Sequence, residues 1–325
     1  MELARRRYLA MDREFAWTRR GDADPVHWGD ALRARLVDLL GIEAQPERRD
    51  FALGEPVRCD GFDRIPASFD SPIDGAGFGY LLVPHGHAGR APAILCLPGH
   101  GIGVDGVVGL RDDGYSTAFA VRCVRRGYVV FALEQMSFGH RCSRETPDGG
   151  STCFRDSTAA LLLGECMVGW RVRDARIALT FLSERVEVDA DRLAVMGISG
   201  GGTTAFFTSC VDTRVAAAMI SGYFNTFADS ILGVDHCVDN YVPGLGTVAE
   251  MPDLVAAIAP RALITESGTE DPIFPLPAYR GACAWAESIY DAHRARSRFH
   301  ATVFEGGHVF HGEETLPVLD GYLAP

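Results

Sequence analysis

The 325-residue chain contains no lysine, and all 31 of its basic residues are arginines. A lysine Schiff base and a phosphate-loop lysine are both impossible, which removes pyridoxal-phosphate enzymes and Walker-type NTPases. Basic charge is scarce altogether. The arginines face 43 acidic residues, the net charge is −12, and no basic cluster exceeds Arg5 to Arg7, so a nucleic-acid partner is not expected. Long apolar runs are missing too. No stretch nears the roughly 18 residues of a membrane helix. Met1 to Arg20 alternates charge with apolar residues where a signal peptide would carry an apolar core. A cytoplasmic protein with no membrane partner is the expectation; the sequence is silent on oligomeric state.

The nine cysteines (59, 96, 123, 142, 153, 166, 210, 237, 283) are odd in number, and none are spaced C-x-x-C. Several sit in apolar runs, the pattern of reduced, buried thiols, so neither a disulfide framework nor a zinc site is expected. His85 and His87 look like a ligand pair, but they lie in the turn Pro84 to Gly89 and read as a surface loop.

What is present is ordinary globular usage, 47% hydrophobic and 23% charged, enough for one large core or two small ones. Residues 1–45 read as a helical extension: Trp28, Leu32, Leu36, Leu39 and Leu40 repeat at helical spacing, Gly41 is a stop, and the helix must pack on something downstream. Residues 46–325 form the main domain. Within it, short apolar runs (79–83, 93–97, 128–133, 193–196, 215–220, 262–265, 300–304) alternate with helical stretches around 116–126, 156–184, 200–210 and 276–295. This alternation predicts an α/β fold with a mostly parallel sheet covered by helices on both faces, and functional residues after strand C-termini. Residues 222–256, rich in Gly, Pro, Asp and Asn, break the rhythm and read as a lid or pocket wall.

Gly197-Ile198-Ser199-Gly200-Gly201 follows one such strand and precedes an apolar helical run. A G-x-S-x-G turn needs small neighbours to expose its serine at the sheet edge. Chance alone gives roughly 0.2 such patterns at this serine and glycine content; the strand-turn-helix context is what makes this one persuasive. A serine nucleophile requires a base oriented by an acid, in the chain order Ser, Asp or Glu, His. Asp271 is the expected acid, with Glu270 its competitor and Glu266 still in strand. His308, on the turn Glu305-Gly306-Gly307, is the expected base, with His311 three residues on. Oxyanion donors are expected from the N–H of Gly200 and from Ile102 or Gly101 in the loop Pro98-Gly99-His100-Gly101-Ile102-Gly103. His100, Glu134, Cys237, Asn240 and Tyr241 are the expected pocket residues; Tyr223, Phe224 and His236 belong to the same insert.

The same loop supports a rival. Gly101 to Gly106 is a literal G-x-G-x-x-G, with Glu134 about where a dinucleotide fold places its ribose-binding acid, as in an NAD-dependent oxidoreductase. Against it, Arg111-Asp112-Asp113-Gly114 interrupts before the apolar helix resumes, and Ser199, Asp271 and His308 would go unexplained.

With these residues in place the sequence resembles the α/β-hydrolase superfamily, in its dienelactone-hydrolase-like and acetyl xylan esterase-like branch. The resemblance spans most of the chain: the 28–40 helix, Leu97-Pro98-Gly99-His100-Gly101, Phe138-Gly139-x-Arg141, Asp174, Gly197 to Gly202, Asp271-Pro272-Ile273-Phe274-Pro275 and Gly306-Gly307-His308. It implies a Ser199, Asp271, His308 triad, no cofactor, no metal, and a small-molecule ester substrate. Dienelactone hydrolases proper use a cysteine nucleophile, so the serine favours the esterase side. Glu134 stands where many relatives have aspartate. The expected activity is hydrolysis of a small-acyl ester through an acyl-enzyme. Acyl transfer, lactonisation or cyclisation in a biosynthetic pathway, and a non-catalytic ligand receptor, are the alternatives the fold allows.

Overall fold

The computed structural model describes residues 2–86, 89–143 and 151–323. Two helices, α1 (Glu2–Leu9) and α2 (Pro25–Leu40), precede the sheet. Between them the chain makes a single 3-10 turn at Trp17–Arg19. Asp24 caps α2 by accepting the Val26 and His27 N–H groups, Pro25 occupies the first turn, and left-handed Gly41 ends it. Leu32, Leu36 and Leu40 are buried on one stripe of α2, in the same core as Leu254, Val255 and Val172.

Strands β1 (Phe51–Leu53), β2 (Val57–Arg58), β3 (Phe62–Phe69), β4 (Gly77–Pro84) and β5 (Ala91–Leu97) come next, then α3 (Val104–Val107), α4 (Phe119–Val124) and β6 (Val129–Leu133). Helices α5 (Cys153–Leu162) and α6 (Met167–Ser183) replace the single helix expected over 156–184, because left-handed Gly164 breaks it. The chain continues through β7 (Val188–Ile198), α7 (Gly200–Val211), β8 (Val215–Ser221), α8 (Leu245–Val248), β9 (Ala262–Gly268), α9 (Leu276–Ala292), β10 (Phe299–Phe304) and α10 (Thr315–Leu323). Among the described residues no helix is long and apolar enough to cross a membrane.

The strands form one sheet in the order β1-β3-β4-β6-β5-β7-β8-β9-β10, with β2 on β3. From β6 to β10 neighbours pair in parallel, while the β1 to β4 end is antiparallel. Alternation along each central strand feeds two cores. Leu95, Phe131, Val195 and Ile220 point into the layer with α2, α6, α7 and α9; Ile94, Val130, Met196 and Met219 point into the layer with α3, α4 and α10. The first three strands were not expected from sequence. His85 hydrogen-bonds Asp63 through Nε2 (2.9 Å), and His87 lies outside the described residues.

Candidate active site

Ser199, Asp271 and His308 all follow the C-terminal ends of parallel strands, β7, β9 and β10. Ser199 sits at the entry to α7 with φ +53° and ψ −119°, a strained conformation for a residue with a side chain. Its N–H donates to the Ser221 carbonyl at the end of β8 (3.0 Å), which fastens the turn to the neighbouring strand. The motif's glycines answer to close approach: a Cβ on Gly201 would lie 2.0 Å from the Leu97 carbonyl oxygen, and one on Gly197 2.3 Å from the Gly201 oxygen.

Asp271 is buried. Its Oδ1 accepts the Ile273 and Phe274 N–H groups (both 3.0 Å), leaving Oδ2 to meet His308 Nδ1 at 2.6 Å. Glu270, the competing acid, is exposed. The His308 ring stacks on Phe274 (5.6 Å between centroids) and faces Gly222, where a Cβ would lie 2.9 Å from Cε1. His308 Nε2 is buried and has no hydrogen-bond partner among the described residues. His311 is placed elsewhere, stacked on Phe304, with its N–H held by the Glu266 carboxylate.

Sequence reasoning missed Tyr115, whose hydroxyl is hydrogen-bonded to the Ser199 side chain. Burial pushes the Tyr115 phenol up, so it remains protonated. Asp113 positions it by accepting the Tyr115 and Ser116 N–H groups. The only signal was the Asp112-Asp113-Gly114 turn, read as an interruption.

The loop after β5 carries Gly101 and Ile102, neither of which donates its N–H to a backbone carbonyl among the described residues. The Gly200 N–H, in the first turn of α7, has no helical acceptor either. Gln135 holds this loop to α7 by donating to the Pro98 carbonyl (2.5 Å) and accepting the Thr204 hydroxyl. Glu134 is buried under the same loop and accepts N–H groups from Val104 (3.2 Å) and His140 (3.1 Å). Burial raises its carboxyl to about 7, against those bonds, which lower it. These contacts answer the dinucleotide rival. The Val104 N–H that a pyrophosphate would need is taken by Glu134, and α3 is only four residues long. Arg141 supports Glu134 from below, donating to its carbonyl (3.3 Å) and pairing with Asp174 and Asp74 (2.7 Å each).

The insert is ordered and divides its residues between places. Tyr223 and Phe224 are buried core, packed with Phe206. Asn240 accepts the Thr203 hydroxyl (2.7 Å) one turn into α7 and donates to Asp239 (2.8 Å). Tyr241, expected in the pocket, instead donates to the Ile231 carbonyl and lines a cavity of about 210 Å³ with Tyr8, Met11 and Phe227; Asn240 reaches that cavity too. Cys237 joins a cluster on the flank of the serine turn. There His100 Nε2 lies 3.0 Å from Asp239 Oδ2 and 3.6 Å from Cys153 Sγ, and Cys153 Sγ lies 3.3 Å from Asp239 Oδ2. Burial alone would lower the His100 imidazole, but Asp239 and Cys153 raise it to about 9. The hydrogen bond from Cys237 and the Arg171 guanidinium hold Cys153 low, and Cys237 correspondingly high. His100 also packs against Gly200, with a Cβ there 3.1 Å from its Nδ1.

Residues 21–306 match the family described as the Abhydrolase family. The Bacillus subtilis (strain 168) protein named "Putative hydrolase YtaP" is 27% identical over 257 residues, covering 74% of this chain and 75% of that one. Among solved structures, one titled a "putative acetyl xylan esterase" from Bacteroides fragilis NCTC 9343 superposes with TM-score 0.78 at 18% identity, covering 93% of this chain and 81% of the other. A glucuronoyl esterase from Solibacter usitatus superposes with TM-score 0.66 at 14% identity, covering 89% and 90%. These structures share the fold, and the match over residues 21–306 carries the family: the chain belongs to the Abhydrolase family, with an α/β-hydrolase fold.

Proposed function

We propose that the chain is a serine carboxylic ester hydrolase acting on small-acyl esters through Ser199, His308 and Asp271. The observation that carries this reading is the 2.6 Å pair of His308 Nδ1 with Asp271 Oδ2, with Nε2 of the same ring buried and unpartnered. The acid fixes one ring nitrogen and stabilises the imidazolium; the other nitrogen is left for a proton. Ser199 rests on Tyr115 and turns to His308 when substrate is present, since catalytic hydrogen bonds tighten only in the complex.

In the reaction His308 takes the Ser199 proton as the oxygen attacks the ester carbonyl. The N–H groups of Gly200 and of Ile102 or Gly101 receive the oxyanion. His308 then protonates the departing alcohol, and water resolves the acyl-enzyme by the same route. Small acyl groups are favoured because Ser199 is only 5% exposed and the Tyr115 hydroxyl lies on it. The named esterases of the same fold support ester chemistry while differing in the ester they are named for.

The test is Ser199→Ala. It is expected to abolish p-nitrophenyl acetate hydrolysis while leaving thermal unfolding nearly unchanged, with the unaltered protein preferring acetyl and propionyl over octanoyl esters. Undiminished turnover in the variant removes the assignment; a preference for octanoyl esters removes the small-acyl part alone.

A further inference from the structure

The cluster beside the serine turn is not used by the proposed reaction. His100 comes from the loop after β5, Cys153 from the first turn of α5, and Cys237 and Asp239 from the insert. One ligand atom from each lies within 4.8 Å of the other three. We propose that His100 Nε2, Cys153 Sγ, Cys237 Sγ and Asp239 Oδ2 bind one zinc ion, which ties the insert and α5 to the loop that flanks the serine turn.

Three observations carry the assignment. The donor types, one imidazole, two thiols and one carboxylate, are those of four-coordinate zinc. Zinc bond lengths set the ligand separations: about 2.0 Å to nitrogen, 2.1 Å to oxygen and 2.3 Å to sulfur give tetrahedral edges of roughly 3.4 to 3.8 Å, the sulfur–sulfur edge being the longest. Three of the six edges here, those among His100, Cys153 and Asp239, are 3.0, 3.3 and 3.6 Å, within a few tenths of an ångström of these values, and the three to Cys237 are within 4.8 Å. Charge also closes. Two thiolates and a carboxylate carry three negative charges; zinc supplies two positive ones, and buried Arg171 supplies the third.

Arg171 is the outer support such a site requires. Its NH1 donates to Asp239 Oδ2 (2.6 Å) and NH2 to Cys153 Sγ (3.3 Å). Its position is fixed by two bonds to the Met136 carbonyl and by stacking over Phe138. Access comes from the His100 side, where that side chain is 31% exposed while Asp239 is fully enclosed. Because His100 also packs on Gly200, the ion would hold one wall of the oxyanion region in place without touching the reacting atoms.

Cobalt(II) added to the full chain, kept reduced with a phosphine under argon, tests this. One equivalent is expected to give thiolate-to-cobalt charge-transfer absorption and the visible bands of a tetrahedral site, both displaced by zinc. Cys153→Ser is expected to lose the charge-transfer intensity in part and His100→Ala to weaken binding by about 100-fold, while Cys59→Ser/Cys142→Ser leaves the spectrum unchanged. A second readout needs no variant: zinc is expected to slow alkylation of Cys153 and Cys237 in the unaltered protein but not that of Cys59. No cobalt spectrum from reduced protein, a spectrum indifferent to Cys153→Ser, or alkylation of Cys153 and Cys237 indifferent to zinc each overturns the site.

Discussion

Asp271 and Glu270 are neighbours in sequence with opposite surroundings, and the contrast is measurable. Asp271 is enclosed and bonded to His308, whereas Glu270 faces solvent. Asp271→Asn is expected to lower kcat by about 10⁴-fold, the cost of the wrong imidazole tautomer, and Glu270→Gln to leave it within about twofold. Steady-state kinetics on p-nitrophenyl acetate decide, and the reverse ranking moves the acid by one residue. Gly222 tests the same histidine from the other side. At φ +51°, with a Cβ placed 2.9 Å from His308 Cε1, Gly222→Ala must displace the ring and is expected to cost about 100-fold in kcat/KM. Glu134 gives a pH signature. Its carboxyl is raised by burial from 4.5 to about 7, so between those values the folded chain keeps a proton the unfolded chain has lost. Stability from this group therefore falls as pH rises from about 4.5 to 7 and is level above. The loss is on the order of 3 kcal/mol. Urea unfolding across this range is expected to show a shallower slope in Glu134→Gln; an unchanged slope contradicts the assignment.

At the scale of elements, legibility followed burial. The runs 91–97, 129–133, 193–198, 215–220 and 262–264 in the central strands β5 to β9 are apolar on both faces and stood out in the sequence, because a strand covered by helices has no polar side to alternate. β3 was illegible: Asp63, Arg64 and Pro66 interrupt its pattern, as an antiparallel strand near the sheet edge permits. The serine, acid and base were legible because each follows a strand end and a glycine-bearing turn. Tyr115 was not, since its place on Ser199 depends on an Asp113 turn with no distinctive spacing. Nor were Cys153 and Cys237 legible as partners. They lie 84 positions apart, and their meeting depends on how the insert docks on α5. The insert also corrects an expectation about Tyr241. Because that ring lines the cavity against α1, Tyr241→Ala is expected to lower the melting temperature by a few degrees while leaving the ratio of acetyl to butyryl ester turnover unchanged. A shifted ratio would return Tyr241 to the substrate pocket.

For the whole molecule, the sheet converts sequence distance into proximity: residues 199, 271 and 308 are brought to one sheet edge because β7, β8, β9 and β10 run parallel and end there. Ser199 is the nucleophile proposed for this edge, and covalent labelling addresses it without reliance on a substrate. The unaltered protein would be treated with a fluorophosphonate and digested with trypsin. With no lysine in the chain, trypsin cuts only at arginine and places Ser199 in the peptide Leu193 to Arg214. One adduct per chain is expected, which fragmentation of that peptide assigns to Ser199. An adduct on any other residue, or ester turnover that persists with no adduct at all, would contradict it.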